Sequence, residues 1–310
     1  LPILIASFSI PQAVSKIMSE RIAFKRYRDA QRVFKGALLY AVIAGGIVAL
    51  ICVFGASVLV PDSVANARLA LLMLAPTIFI SGILGVFRGY FQAYRNMMPT
   101  SISQIVEQIA VAVVALLMAN FMVHHFAGAG EDTLQRWSAA GATIGTGAGV
   151  TAALLFMLFV YSVNRKTINR RIARDKVSVD ESYQQVMRNI VLIVAPIILS
   201  AFIYNVNGYI NGVMYTSISD FRGMDNSQVK VLYAEFGFFM TLINIPLTLA
   251  STAPTSMIPE VSAHYATGDV KGAIEKINNA TWISMLISMP ASVGLAVLAQ
   301  PVTSLLFPST

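Results

Sequence analysis

The chain has 310 residues, of which 56% are hydrophobic and only 12% charged, with a mean hydropathy of +0.68; a soluble domain carries about 25% charged residues. That balance, with repeated apolar runs of about twenty residues, excludes an ordinary soluble enzyme and points to an all-α polytopic membrane protein. The net charge of +7 sits in short loops between the runs, where it sets membrane orientation and not nucleic-acid binding.

In chain order, a first apolar helix covers Leu1 to Ser19, and a second runs from Gly36 to Val60, closed by Pro61 and Asp62. A third spans Leu69 to Phe91 and a fourth Thr100 to Val123. The fifth, Ser138 to Val163, is rich in small residues. After a basic linker, a sixth spans Asn189 to Thr216, a seventh Leu232 to Ile258 and an eighth Asn278 to Leu306. The sequence predicts eight transmembrane helices.

With Leu1 outside, 17 of the 22 Lys and Arg residues fall in inner loops and 4 in outer ones, with Lys16 inside a helix. This asymmetry is the positive-inside signature of a multi-pass protein of a cytoplasmic membrane. Laying Pro11 on Pro254 also matches Ser19 with Ser262, Ala23 with Ala266, Ala30 with Ala273 and Ala37 with Ala280. Parallel repeats of this kind build many transporters, with the substrate path between the halves. The repeat predicts an N-terminal lobe at 1–163 lacking its first helix, a cytoplasmic linker at 164–187 and the first half of a second lobe at 188–310. The abrupt start at Leu1 and the end at LLFPST fit a fragment of a six-plus-six parent.

The densest polar stretch is Gly82 to Gln108, GILGVFRGYFQAYRNMMPTSISQIVEQ, which joins the third and fourth helices. A charge at mid-bilayer costs about 2.5–3.5 kcal/mol on insertion scales, so these groups imply a water-filled cavity between helices. Arg88 is either an ordinary inner anchor or a guanidinium held for a phosphate beside Gly85 and Gly89. Glu107 lies two turns into its helix with Ser103 and Gln104 on the same face. It suits a cavity carboxylate, as does Gln108 a cavity amide. Lys16 precedes Glu20 by one turn and is either a snorkelling end residue or part of a wet face with Gln12 and Ser15. Asn205, Asn207 and Asn211 form a polar stripe beside Gly208 and Gly212, suited to interhelical hydrogen bonds or to a cavity wall.

Other signals lead to structure. GATIGTGAG at Gly141 to Gly149 lacks the Lys-Ser or Lys-Thr of a phosphate loop and reads as a close-packing helix face. His124 and His125 are adjacent and splay apart, and with His264 on the other side of the membrane they make no metal site. The single Cys52 allows neither a disulfide framework nor a thiolate site. No nucleotide-binding signature is present, and no cofactor is expected.

IPQAVSKIMSE (Ile10 to Glu20), RGYFQAYRNMMPTSISQIVEQ (Arg88 to Gln108) and SAAGATIGT (Ser138 to Thr146) resemble the polysaccharide-transporter, stage V sporulation protein B-type branch of the multidrug/oligosaccharidyl-lipid/polysaccharide (MOP) flippase superfamily, which is related to lipid II flippases. PTSMIPEVSAHYATG (Pro254 to Gly268) is a looser match. The resemblance implies a two-lobed MATE-like bundle in the bacterial cytoplasmic membrane, acting as a monomer and not as an enzyme. Such a bundle would flip an undecaprenyl-linked sugar precursor by alternating access. It further implies that Lys16 and Arg88 meet the substrate's pyrophosphate, with Glu107 and Gln108 lining or gating the cavity. Where many relatives carry an Arg after the Glu-Gln pair, this chain has Val111. A multidrug or small-cation exporter of the same superfamily is the alternative. It would favour acidic cavity residues, so Lys16 and Arg88 speak against it and Glu107 for it.

Overall fold

The computed structural model describes residues 2–56, 67–125, 131–179, 181–221 and 226–306. Among these the chain is helical: α1 (Pro2–Ala23), α2 (Tyr27–Phe54), α3 (Ala67–Ala93), α4 (Met98–His125), α5 (Glu131–Ala173), α6 (Tyr183–Phe221), α7 (Asn226–Ala266), α8 (Val270–Val297) and α9 (Ala299–Leu306). Six stretches are long and apolar enough to cross a membrane: Tyr27–Phe54, Arg68–Ala93, Met98–His125, Thr143–Ala173, Tyr183–Ser200 and Val270–Val297. The two other expected spans fall in α1 and α7, which are helical without being among the six. Pro61, Asp62 and the end at LLFPST lie outside the described residues, apart from Leu305 and Leu306.

Helix continues further than hydropathy suggests. The polar residues around the apolar stretches also favour helix, because backbone hydrogen bonding does not depend on apolarity. So α5 runs through the basic stretch to Ala173 and α6 begins at Tyr183, which leaves 174–179 and 181–182 as the described non-helical part of the expected linker.

The chain divides into two compact units, Leu1–Phe202 and Ile203–Thr310. In the first, α1, α2, α3, α5 and the start of α6 share a core that includes Ile17, Val33, Phe34, Phe87, Tyr90, Met157 and Ile190. At its centre Phe34 meets Phe87 edge-on and stacks on Tyr161, with ring centroids 5.4 Å apart in both pairs. Gly89 of α3 lies so close to α1 that a Cβ there would meet Pro11 O and Val14 Cβ at 2.8 Å.

The expected close-packing face of α5 docks on α4. Gly141, Gly145 and Gly149 recur every four residues and face Met118, Ala115 and Val111. A Cβ on Gly145 would stand 2.6 Å from the Ala115 backbone nitrogen. Without a hydrophobic drive between helices in lipid, such close backbone approach is what makes packing favourable. On the other side of α4, Leu116 (72%) and Ile109 (60%) are exposed, as a lipid-facing surface requires.

The α1–α2 and α7–α8 hairpins repeat each other at the spacing of the sequence match. Helix ends at Ala23 and Ala266, restarts at Tyr27 and Val270, and ends again at Phe54 and Val297. Lys25 (φ 59) and Gly268 (φ 78) hold the left-handed position of the two turns. Four backbone bonds correspond as well, from Lys25 N→Ile22 O with Gly268 N→Tyr265 O to Ala30 N→Arg26 O with Ala273 N→Asp269 O. A left-handed residue after a helix closes its last turn. The cost that usually selects glycine is borne by Lys25 in the first hairpin.

Candidate functional site

The joint between α3 and α4 is a tight turn with Arg95 at φ 59, closed by Arg95 N→Gln92 O at 2.8 Å and Asn96 N→Phe91 O at 3.1 Å. This reversal brings the end of α3 beside the start of α4. Arg88 is consequently buried, 4% exposed. Its Nε donates to Ser103 Oγ at 2.9 Å, and its Nη2 donates to Glu107 Oε2 at 2.6 Å. Ser103 in turn donates to Thr100 O at 2.7 Å. The Arg88 and Glu107 side chains are 5% and 15% exposed, so the pair is open on the carboxylate side.

The structure thus brings together two of the expected site residues and adds Ser103, which was noted only as a neighbour of Glu107. In this structure the Arg88 guanidinium is paired with Ser103 and Glu107, a partnership that the expectation of an inner anchor or a phosphate-holding group did not include. Two unit charges in contact stabilise each other by several kcal/mol at intermediate dielectric, about 4 at 4 Å. Gln104 and Gln108 stand on the same helix with exposed side chains. Val111 lies against Gly149, in a contact with no room for an arginine stem.

Lys16 is the exposed position on α1 among residues 10–20, flanked by buried Ser15 and Ile17, and it acts electrostatically on Glu20. Asn211 is exposed, while the side chains of Asn205 and Asn207 lie outside the described residues. The Asn205, Asn207 and Asn211 positions fall in the second compact unit, and Lys16, Arg88, Gln104, Glu107 and Gln108 in the first.

A second polar cluster was not foreseen. Asp29, in the first turn of α2 and fully buried, accepts from Arg26 Nε at 2.8 Å and from the backbone N–H groups of Val179 and Glu181 at 3.1 and 3.2 Å. Glu181 binds Arg21 Nη2 at 2.9 Å and Arg26 Nη2 at 2.7 Å. Asp175 accepts from Arg28 N at 2.7 Å and from the Ser178 hydroxyl at 2.6 Å. Burial works to raise the Asp175 pKa, but the Ser178 hydroxyl and the backbone N–H groups of Arg28, Val177 and Ser178 outweigh it and hold the carboxyl well below 3.8. The cluster pins 175–179 and Glu181 to the α1–α2 turn. Its sequence signal was an acidic Asp175 and Glu181 opposite a run of arginines, which counted only as inner-loop charge.

The family model described as lipid II flippase MurJ matches residues 13–309. The chain belongs to the MurJ lipid II flippase family. It is 27% identical over 266 residues to stage V sporulation protein B of Bacillus subtilis (strain 168), covering 83% of this chain and 48% of that protein. To lipid II flippase MurJ of the same organism it is 23% identical over 313 residues, covering 96% and 56%. This MurJ-family chain therefore spans about half the length of these curated relatives. Among solved structures, an outward-facing MATE family multidrug resistance transporter of the MOP superfamily superposes with a TM-score of 0.71 at 16% identity, covering 99% of this chain and 64% of that one. The Vibrio cholerae MATE transporter VcmN in its bent form gives 0.62 at 15%, covering 100% and 66%. The fold is that of MATE-type transporters, and the protein is a multi-pass member of the bacterial cytoplasmic membrane.

Proposed function

We propose that the full-length parent moves an undecaprenyl-linked sugar precursor, lipid II or a related polysaccharide intermediate, from the inner to the outer leaflet by alternating access. On this reading the parent has two lobes of six helices, eight of which lie in this chain. The chain then holds the N-terminal lobe (1–163), a cytoplasmic linker (164–187) and part of the second lobe (188–310). The helix bounds shared by the two hairpins support such a repeat.

The observation that carries the reading is the buried Arg88–Glu107 pair at the α3–α4 joint. Removing one partner of such a pair costs about 3–5 kcal/mol, because the other charge is left buried and uncompensated. An incoming pyrophosphate is the kind of group that offsets this cost. It supplies acceptor oxygens to the guanidinium as Glu107 swings toward its more exposed side. Arg88 is then never without a counter-charge, and substrate entry is linked to movement of α4. Lys16, exposed on α1, would meet the same headgroup, with Gln104 and Gln108 as uncharged wall groups, and Asn205, Asn207 and Asn211 as candidate groups from the second lobe. Glu107 is committed to Arg88, which favours this reading over the multidrug or small-cation exporter, whose chemistry calls for an unpaired carboxylate.

The test is rescue of a bacterium depleted of its own lipid II flippase by the full-length parent. Arg88→Ala, Arg88→Lys and Lys16→Ala are compared at equal membrane abundance. The parent is expected to rescue growth and Arg88→Ala to lose rescue. Arg88→Lys should be intermediate, because an ammonium keeps the charge without the two-nitrogen fork. Rescue by Arg88→Ala would remove Arg88 from the site. Failure of the well-expressed parent, together with newly acquired drug resistance, would transfer the function to the exporter.

A further inference from the structure

The first compact unit contains a half-open cavity of about 250 Å³ between the end of α3, the α3–α4 turn and the inner end of α5, lined by Tyr90, Tyr94, Asn96, Asn164 and Arg171 among others. It is separate from the Arg88–Glu107 pair, whose residues are not in its wall. Three features of the cavity call for a ligand.

The first is Tyr90. It is 1% exposed, and its hydroxyl meets no partner at full hydrogen-bond geometry; the Tyr94 hydroxyl is close enough to interact with it. A buried hydroxyl without a well-formed hydrogen bond is rare, since it forfeits its water hydrogen bonds with little in return. The second is Arg171, whose guanidinium carbon lies over the Tyr94 ring, 5.4 Å from its centroid. That stacking fixes the plane of the fork while leaving its edge N–H groups available, and among the described residues Arg171 has no ion pair. The third is the donor set. Asn96 Oδ1 accepts from Met98 N at 3.3 Å, which leaves its amide N–H groups free. No carboxylate lines the wall.

A recess with a cation and several neutral donors, and without an acid, selects an anion with several acceptor oxygens. Its depth narrows the choice. Tyr90 and Tyr94 stand at and just beyond the C-terminal end of the Arg68–Ala93 span, near Arg88 and Arg95, and Asn164 and Arg171 stand in the C-terminal part of Thr143–Ala173, near Arg165, Lys166 and Arg170. By the positive-inside count of the sequence this is the inner headgroup level, where basic pockets between membrane helices take anionic lipid headgroups.

We infer that this cavity binds a phosphate ester, with Arg171 and the Tyr90 hydroxyl as its donors, at a site distinct from the transport path. The shared chemistry is that of a phosphate held in a carboxylate-free recess. Its source is either an inner-leaflet phospholipid or a soluble phosphate compound. The inference does not depend on which substrate the parent carries.

The test is native mass spectrometry of the detergent-purified full-length parent with phosphatidylglycerol as probe, phosphatidylcholine as zwitterionic control and sodium phosphate as competitor. Arg171→Gln is expected to weaken retention of one phosphatidylglycerol by about tenfold, as loss of a charge-assisted fork implies. Tyr90→Phe, which removes only the hydroxyl, should weaken it by about threefold. Arg170→Gln makes the same charge change one residue away and is expected to leave retention unchanged. Competition by millimolar sodium phosphate would assign the site to soluble phosphates, and its absence to the lipid. Equal loss in Arg170→Gln and Arg171→Gln would reduce the effect to diffuse surface charge and overturn the inference. Unchanged retention in both Arg171→Gln and Tyr90→Phe would overturn it as well.

Discussion

The α1–α2 and α7–α8 hairpins share one backbone and use it differently. In the first, Arg21 and Arg26 both reach Glu181, 160 and 155 residues away along the chain, and Asp29 caps the backbone of the same segment. In the second, the corresponding positions are His264 and Asp269, which bind each other at 2.9 Å, while Asp269 caps Gly272 N at 2.9 Å. The first turn is therefore a dock for a distant segment, and the second is closed on itself. Backbone geometry is set by local helix termination; what the turn holds is set by two or three side chains.

The largest expected effect that would break this contrast is at Asp29. Asp29→Ala removes the acceptor for Arg26 and for two backbone N–H groups, and is expected to destabilise the first unit by about 3–5 kcal/mol, the range for breaking a buried pair. It should also make 174–182 sensitive to limited proteolysis. A variant as stable and as protease-resistant as the parent would show that the linker is held by other means.

The next effect is a pH dependence. Since the folded Asp175 carboxyl titrates below its unfolded value of 3.8, its contribution is fully present above about pH 4 and is lost as pH falls further. Protection of the linker is expected to fall in that acid interval, and Asp175→Asn should lose protection at neutral pH and flatten the profile. Protection that declines equally with acid in the Asn variant would assign the titration to another group.

The smallest effect sharpens the comparison from the other side. Asp269→Ala should lower the thermal midpoint only slightly, because its bonds are local and solvent-exposed, and linker cleavage should be unchanged. Enhanced cleavage in this variant would mean that the second hairpin also supports a distant segment.

Much of this was legible in the sequence, for physical reasons that particular residues make plain. Gly141, Gly145 and Gly149 announce a packing face because their spacing is that of one helix surface. Arg88 and Glu107 stood out because charge is costly beside apolar runs. Their mutual pairing was not legible: they lie 19 residues apart on two helices, and only the angle of the Arg95 turn decides whether they meet. The left-handed Lys25 was hidden because lysine carries no turn signal, although its counterpart Gly268 does.

By itself, then, the sequence determined the membrane class, six of the eight expected apolar spans and the small-residue seam, because each depends on composition or on local periodicity, and its motifs carried the resemblance to the family. Tertiary structure alone decided that Arg88 is neutralised by Glu107, that Asp29 and Glu181 hold the linker, and that Tyr90 and Arg171 share a recess. Those outcomes depend on which side chains are brought within about 3 Å of one another, the range of a hydrogen bond, and no one-dimensional pattern specifies that.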